Sequence, residues 1–251
     1  MDEAFVGDDI ATRRITEYLH QLANVIHHMK LILLDFKTKC SPEVFYHQIR
    51  PWLRGEDSQS GRKWVFEGIH QDPSLVEPLE LSGPSAGQSS IIQALDIFLG
   101  VDHYSPKELT EESDRYHEQG SLLKRMRLYM PRHHRAFLTH LENNPRPLRQ
   151  LVISISSEVA GSDQAGNALL KAYNDAVISL KELRSAHMII VALFVIGPAR
   201  HDGLSPTSDH VHFTRDGKLS LKGTGGTELV HFLKGIRDQT DQTLIDRLDS
   251  T

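Results

Sequence analysis

The chain holds 15 histidines and a single cysteine, Cys40, and one of those histidines stands apart by position. His187 lies four residues after Leu183 and seven after Leu180, and three, four and seven before Ile190, Val191 and Phe194. On a helix this spacing sets the imidazole in an apolar stripe. A neutral imidazole so placed needs a hydrogen bond or a metal for its ring nitrogens. It is either a core histidine satisfied by a neighbour or an axial ligand to a haem iron held between helices. In the second case a hydrogen bond from the far nitrogen would fix the ring and raise its basicity. The other histidines fall in no zinc spacing, and the chain has neither a CxxC pair nor a His-Glu-x-x-His helix. His210-Val-His212, with His201 and Asp209, sits in a polar loop and reads as solvated. The adjacent pairs His27-His28 and His133-His134 cannot both face inward, and read as surface or capping residues.

Three further elements have the residue types of a binding site. Lys222-Gly-Thr-Gly-Gly-Thr227 directly precedes an amphipathic segment. Its glycines let the backbone approach a ligand closely, and a helix N-terminus suits an anion such as a carboxylate or propionate. A plain turn with Thr227 as N-cap fits the same residues. Ser82-Gly-Pro-Ser-Ala-Gly-Gln-Ser-Ser90 feeds small residues into a helix that carries Asp96 on a mostly apolar surface. That arrangement admits a flat ligand or serves as a simple loop-to-helix junction. In Phe45-Tyr-His-Gln-Ile-Arg50, the arginine follows Tyr46 by four positions and Phe45 by five. Guanidinium and ring could thus flank one pocket, pairing a carboxylate clamp with an aromatic wall, although an ordinary amphipathic helix with a surface arginine has the same pattern.

The elements that must position these residues are helical. Apolar residues at three- and four-residue spacing predict helices over about 9–37, 43–53, 88–100, 119–128, 132–143, 147–159, 165–196 and 227–248. Asp8-Asp9 offers caps for the first helix, Pro51 bends or ends the second, and Gly100 ends the third. Residues 54–84 read as a long ordered loop, and mobile loops are expected near 102–118 and 199–222. No alternating pattern exceeds four or five residues, so the expected class is all-α, in a single domain over 1–251. With 17 Gly and 11 Pro the 251-residue chain is neither collagen-like nor low in complexity. Its net charge of −5 is far from the basic footprint of a nucleic-acid binder. The longest apolar run, Met188–Ile196, falls short of the roughly 20 residues of a membrane span, so no membrane partner is expected. The acidic N-terminus lacks the basic region of a signal peptide. A lone cysteine fits a reducing, cytoplasmic location.

Taken together, Ser85-Ala-Gly-Gln-Ser-Ser90, Tyr129-Met-Pro-x-x-His-Arg135, Leu183-Arg-Ser-x-His187 and Gly223-Thr-Gly-Gly-Thr227 occur in the order and approximate spacing of the indoleamine 2,3-dioxygenase family. From near residue 8 to its end the chain resembles that family's large helical haem-binding domain. The resemblance implies a helical bundle of that type and a haem b cofactor with His187 as its proximal iron ligand. Asp96 and Arg184 then lie on the proximal side, near a haem propionate. Phe45 and Arg50 match the positions that meet the indole ring and carboxylate of the substrate. Ser85, Ala86 and Gly87 match the small residues beside haem and substrate. Gly223, Thr224, Gly225 and Gly226 match a mobile loop over the amino-acid end and the propionate. The implied reaction is cleavage of the indole C2–C3 bond of L-tryptophan, or a related indole, by O₂ to give N-formylkynurenine. No acid or base residue is assigned.

Family members carry a smaller N-terminal domain that supplies part of the distal wall, and the resemblance places the start of this chain after it. Three expectations therefore stand side by side: an active dioxygenase; a haem-binding domain lacking the distal lid, with impaired catalysis, acting with a partner chain that completes the distal pocket or as a binding module; or a helical scaffold or partner-binding protein without haem. The intact His187, Arg50 and Gly-Thr-Gly-Gly-Thr segment speaks against the third.

Overall fold

The computed structural model describes residues 4, 8–55, 64–76, 81–101, 122–143, 148–158, 164–203, 212–213, 219–220 and 229–246. They group into two compact units. The first comprises Met1–Phe36, Gly87–Ile189 and Leu233–Thr251, and the second Lys37–Ala86 and Ile190–Phe232.

The first unit is built on α1 (Asp9–Lys39) up to Phe36, α2 (Ser90–Leu99), α3 (Arg132–Asn143), α4 (Leu148–Glu158) and α5 (Gln164–Val191) up to Ile189. Asp8 caps α1, its Oδ1 accepting from the N–H groups of Ile10 at 2.8 Å and Ala11 at 3.2 Å. Lys37 and Lys39 in the last turn complement the helix dipole. Gly100 ends α2 in the left-handed conformation, at φ 75°, where a side chain would be strained. The buried stripes of four helices meet in one core. Leu19 and Ile26 come from α1, Leu95 and Leu99 from α2, Leu148 and Val152 from α4, and Leu169, Tyr173, Val177 and Leu180 from α5. Each such aliphatic side chain contributes about 1.5–3 kcal/mol on burial. The exposed Lys30–Glu182 pair at 2.6 Å is worth at most about 1 kcal/mol, so apolar burial sets the stability of this unit. Cutting Leu180, which is fully buried, back to Ala should cost roughly 2–5 kcal/mol.

In the second unit the chain restarts at Pro42 after Ser41, which has an extended backbone. One α-turn (Pro42–Val44) widens into a π-turn (Phe45–Ile49) and then tightens into a 3₁₀ turn (Arg50–Leu53). A second π-turn (Ala192–Ile196) continues α5 and leads into α6 (Gly197–Gly203). Both π-turns end one residue before the residue that precedes a proline, Pro51 or Pro198. A proline ring collides with the carbonyl four residues back in an α-helix. The wider turn relieves that collision, with Arg50 N–H donating to the Phe45 carbonyl and Gly197 N–H to that of Ala192. The helix expected to end near 196 therefore runs through Gly203. Gly55 is required by close approach, since a Cβ there would lie 2.1 Å from the Gly83 nitrogen.

Within the stretch expected to be a loop over 199–222, residues 199–203 are helical. His212–Phe213 pairs antiparallel with Leu219–Ser220 in a two-residue ladder. The class is all-α, as expected. The last helix, α7 (Leu229–Asp241), is shorter than its periodicity predicts. The Asn174 side chain explains this, accepting from Ile245 N–H at 3.1 Å and donating to the Ile245 carbonyl at 2.9 Å. That draws the chain off the helix. The segment expected to be mobile near 102–118 lies outside the described residues. The combined helix Gln164–Asp202 has the length and composition of a membrane span. Its first half is a core helix, with Leu169, Tyr173, Val177 and Leu180 fully buried and Lys171 and Glu182 exposed.

Candidate functional site

His187 lies on α5, half-buried, one turn beyond the buried Arg184. Burial pushes its pKa below the ordinary histidine value, so the ring is neutral at pH 7. Among the described residues it has no hydrogen-bond partner. The satisfied-core reading of His187 thus finds no neighbour that does the satisfying.

Arg184 and Asp96 are brought together, as the sequence reading paired them. Arg184 Nη2 donates to Asp96 Oδ1 at 2.5 Å, with both side chains at least nine-tenths buried. Arg184 Nη1 donates to the Ile236 carbonyl at 3.3 Å and to Thr240 Oγ1. Thr240 in turn donates to the Ile236 carbonyl at 2.8 Å. A buried charge is tolerated only when paired and hydrogen-bonded, and this guanidinium meets both conditions on the same helix as His187.

The small-residue segment forms a 3₁₀ turn, Ala86–Gln88, just before α2. Ser85 and Gly87 are half-buried and Ala86 is exposed. Ser85 and Ala86 belong to the second unit and Gly87 to the first. The Gly87 carbonyl accepts from Gln93 Nε2 at 2.7 Å.

In the second unit, Phe45 and Arg50 are joined across the π-turn by a backbone hydrogen bond. The guanidinium of Arg50 lies 5.5 Å from the centre of the Tyr46 ring, a cation–π contact. Arg50 is only 6% exposed. Burial, and then the charge of Arg54, pull its pKa down to about 10, which leaves it charged at pH 7. Phe45 meets Phe194 edge to face, with ring centres 5.8 Å apart and planes at 86°. The site residues Gly223, Thr224, Gly225 and Gly226 lie outside the described residues, as do Asp209 and His210.

Gln93, Thr240 and Phe194 went unassigned in the sequence reading. Gln93 carried the same signal as Asp96, a polar residue on the apolar face of α2. Thr240 carried none, because only the tertiary fold brings it to Arg184. No group of three potential metal-binding side chains occurs among the described residues. A hollow of about 470 Å³, lined by Ala11, Arg14, Tyr18, Phe98 and Leu148 among others, touches none of the site residues named above.

A sequence model of the indoleamine 2,3-dioxygenase family matches residues 1–243. Indoleamine 2,3-dioxygenase 1 of Mus musculus is 33% identical over 235 residues, covering 93% of this chain and 51% of that protein. Indoleamine 2,3-dioxygenase of Saccharomyces cerevisiae is 33% identical over 261 residues, covering 96% and 53%. A protein named myoglobin from Haliotis madaka is 31% identical over 224 residues, covering 88% and 49%. The chain spans about half the length of these relatives. A family match along nearly its whole length, joined to the paired Asp96 and Arg184 one turn from His187, means that the chain belongs to the indoleamine 2,3-dioxygenase family.

Proposed function

We propose that the chain is a single haem-binding domain that cleaves the indole C2–C3 bond of L-tryptophan, or a related indole, with O₂, both oxygen atoms entering the product N-formylkynurenine. The observation that carries this reading is the neutral imidazole of His187, without a hydrogen-bond partner among the described residues, one turn from a buried, ion-paired Arg184. A neutral ring nitrogen is the donor that a haem iron takes, so His187 fits a haem, which in this reading is haem b. Haem, when bound, supplies the activation of O₂. The names of the dioxygenase relatives support tryptophan-type indoles as the substrate class.

The protein's part is binding, orientation and exclusion of water. In this reading His187 holds the iron, while Asp96 and Arg184 fix the proximal side. Arg50 binds the substrate carboxylate, with its planar fork already held against Tyr46 and so little freedom left to lose. Phe45 walls the indole, its ring angle set by Phe194. Ser85, Ala86 and Gly87 leave room for flat groups, and Gly223, Thr224 and Gly225 close over the amino-acid end. No acid or base is required of the chain. A cytoplasmic location goes with the lone Cys40.

Arg50→Ala tests the assignment directly: a large rise in KM for L-tryptophan is expected, and unchanged KM and kcat would remove Arg50 from the site. The relative named myoglobin favours a second reading, haem binding without indole cleavage, in which catalysis awaits a partner chain that completes the distal wall. Haem uptake with no N-formylkynurenine formed would select it.

A further inference from the structure

Gln93 is 3% exposed and lies in the first turns of α2, from where it reaches back six residues. Its Nε2 donates to the Gly87 carbonyl at 2.7 Å and to the Leu123 carbonyl at 3.1 Å. Its Oε1 accepts from Arg127 Nε at 2.6 Å. These partners fix which way the amide points, since the flipped amide would set its oxygen against two carbonyls. Arg127 is gripped in turn, its two terminal nitrogens donating to the two carboxylate oxygens of Glu142, each at 2.7 Å. Hydrogen bonds thus run unbroken from a carboxylate on α3, through Arg127 and a buried amide, to the backbone of the small-residue turn. The Arg127 hydrogen bonds hold the Glu142 carboxyl below the ordinary range, so it stays ionised and the grip persists at neutral pH.

We infer that Gln93 is a positioning residue, which sets the Gly87 peptide of the haem site, with Arg127 and Glu142 locking its amide. The inference rests on the proposed haem dioxygenase reading and deepens it. A fully satisfied buried amide holds one geometry, and a substrate wall displaced by about 1 Å can cost as much as 100-fold in rate.

The test compares Gln93→Glu and Gln93→Met with the unaltered chain. Gln93→Glu keeps an acceptor for Arg127 but has nothing to donate to Gly87; Gln93→Met loses both ends. Three readouts are taken: the haem absorption spectrum and CO stretching band of the reduced protein, kcat and KM for L-tryptophan, and amide hydrogen exchange over residues 85–89 in the haem-free protein. Both variants should take up haem through His187, shift the CO band, exchange faster over 85–89, and lose kcat by about tenfold or more with KM changed less than about threefold. Should neither fold, Glu142→Gln, at the exposed end of the chain of bonds, should shift the band and lower kcat in the same direction by a smaller factor. Gln93→Glu with unaltered exchange, CO band and kcat would overturn the assignment, because a residue serving only to anchor Arg127 tolerates that change. An unaltered chain that takes up no haem through His187 would overturn the functional reading itself, and the positioning role with it.

Discussion

Arg184 of α5 and Asp96 of α2, 88 residues apart in sequence, form a buried ion pair of 2.5 Å that lies one helical turn from His187. Thr240 completes it from α7. Replacing such a pair whole by apolar groups can be nearly neutral, but removing one partner leaves an uncompensated charge. Asp96→Leu should therefore cost roughly 3–5 kcal/mol in urea unfolding. The double replacement Asp96→Leu with Arg184→Met should recover most of that loss while still impairing haem uptake. Equal stability of the single and double variants would show that the pair is not coupled.

Arg50 is buried, charged and braced on Tyr46. If it binds the substrate carboxylate, Arg50→Ala should raise KM for L-tryptophan about 30-fold or more, the equivalent of losing at least about 2 kcal/mol from a desolvated charge pair. Burial lowers its pKa only to about 10, so Arg50 stays charged and KM should be flat through neutral pH. Steady-state kinetics of both proteins between pH 6 and 8 measure this, and an Arg50→Ala variant with unchanged KM would contradict the assignment.

Much of this was legible in the residues themselves. The three- and four-residue spacings place the helices of the first unit, because a long amphipathic helix must bury its stripe wherever it packs. His187 was visible as a polar residue in such a stripe, and Asp96 likewise. The π-turns were not visible. Proline predicts a break in an α-helix, and local spacing says nothing of a chain that instead stays helical past each proline by way of a widened turn. Thr240 and the Asn174 hydrogen bonds that stop α7 were hidden for a related reason. Both join segments more than 50 residues apart, and short-range spacing says nothing about such pairs.

Tyr173, fully buried at the centre of the first unit, donates its hydroxyl to the Leu99 carbonyl at 2.7 Å. Tyr173→Phe removes the donor and leaves that acceptor buried, at a cost of about 1–3 kcal/mol. Burial raises the phenol's pKa above its ordinary value. The stability tied to its neutral form is therefore complete below about pH 10 and is lost as pH rises beyond it. Thermal unfolding between pH 8 and 11 should show the unaltered chain losing stability more steeply than Tyr173→Phe at the alkaline end; parallel curves would exclude the phenol as the source.

The proposed function stands on His187 as ligand to a haem iron in a site able to cleave indoles. It is tested by the absorption spectrum of the purified chain after haem addition, beside that of His187→Ala, followed by L-tryptophan added to the reduced protein in air. A Soret band that depends on His187 and the appearance of N-formylkynurenine are expected. A spectrum indifferent to the loss of His187 would contradict it.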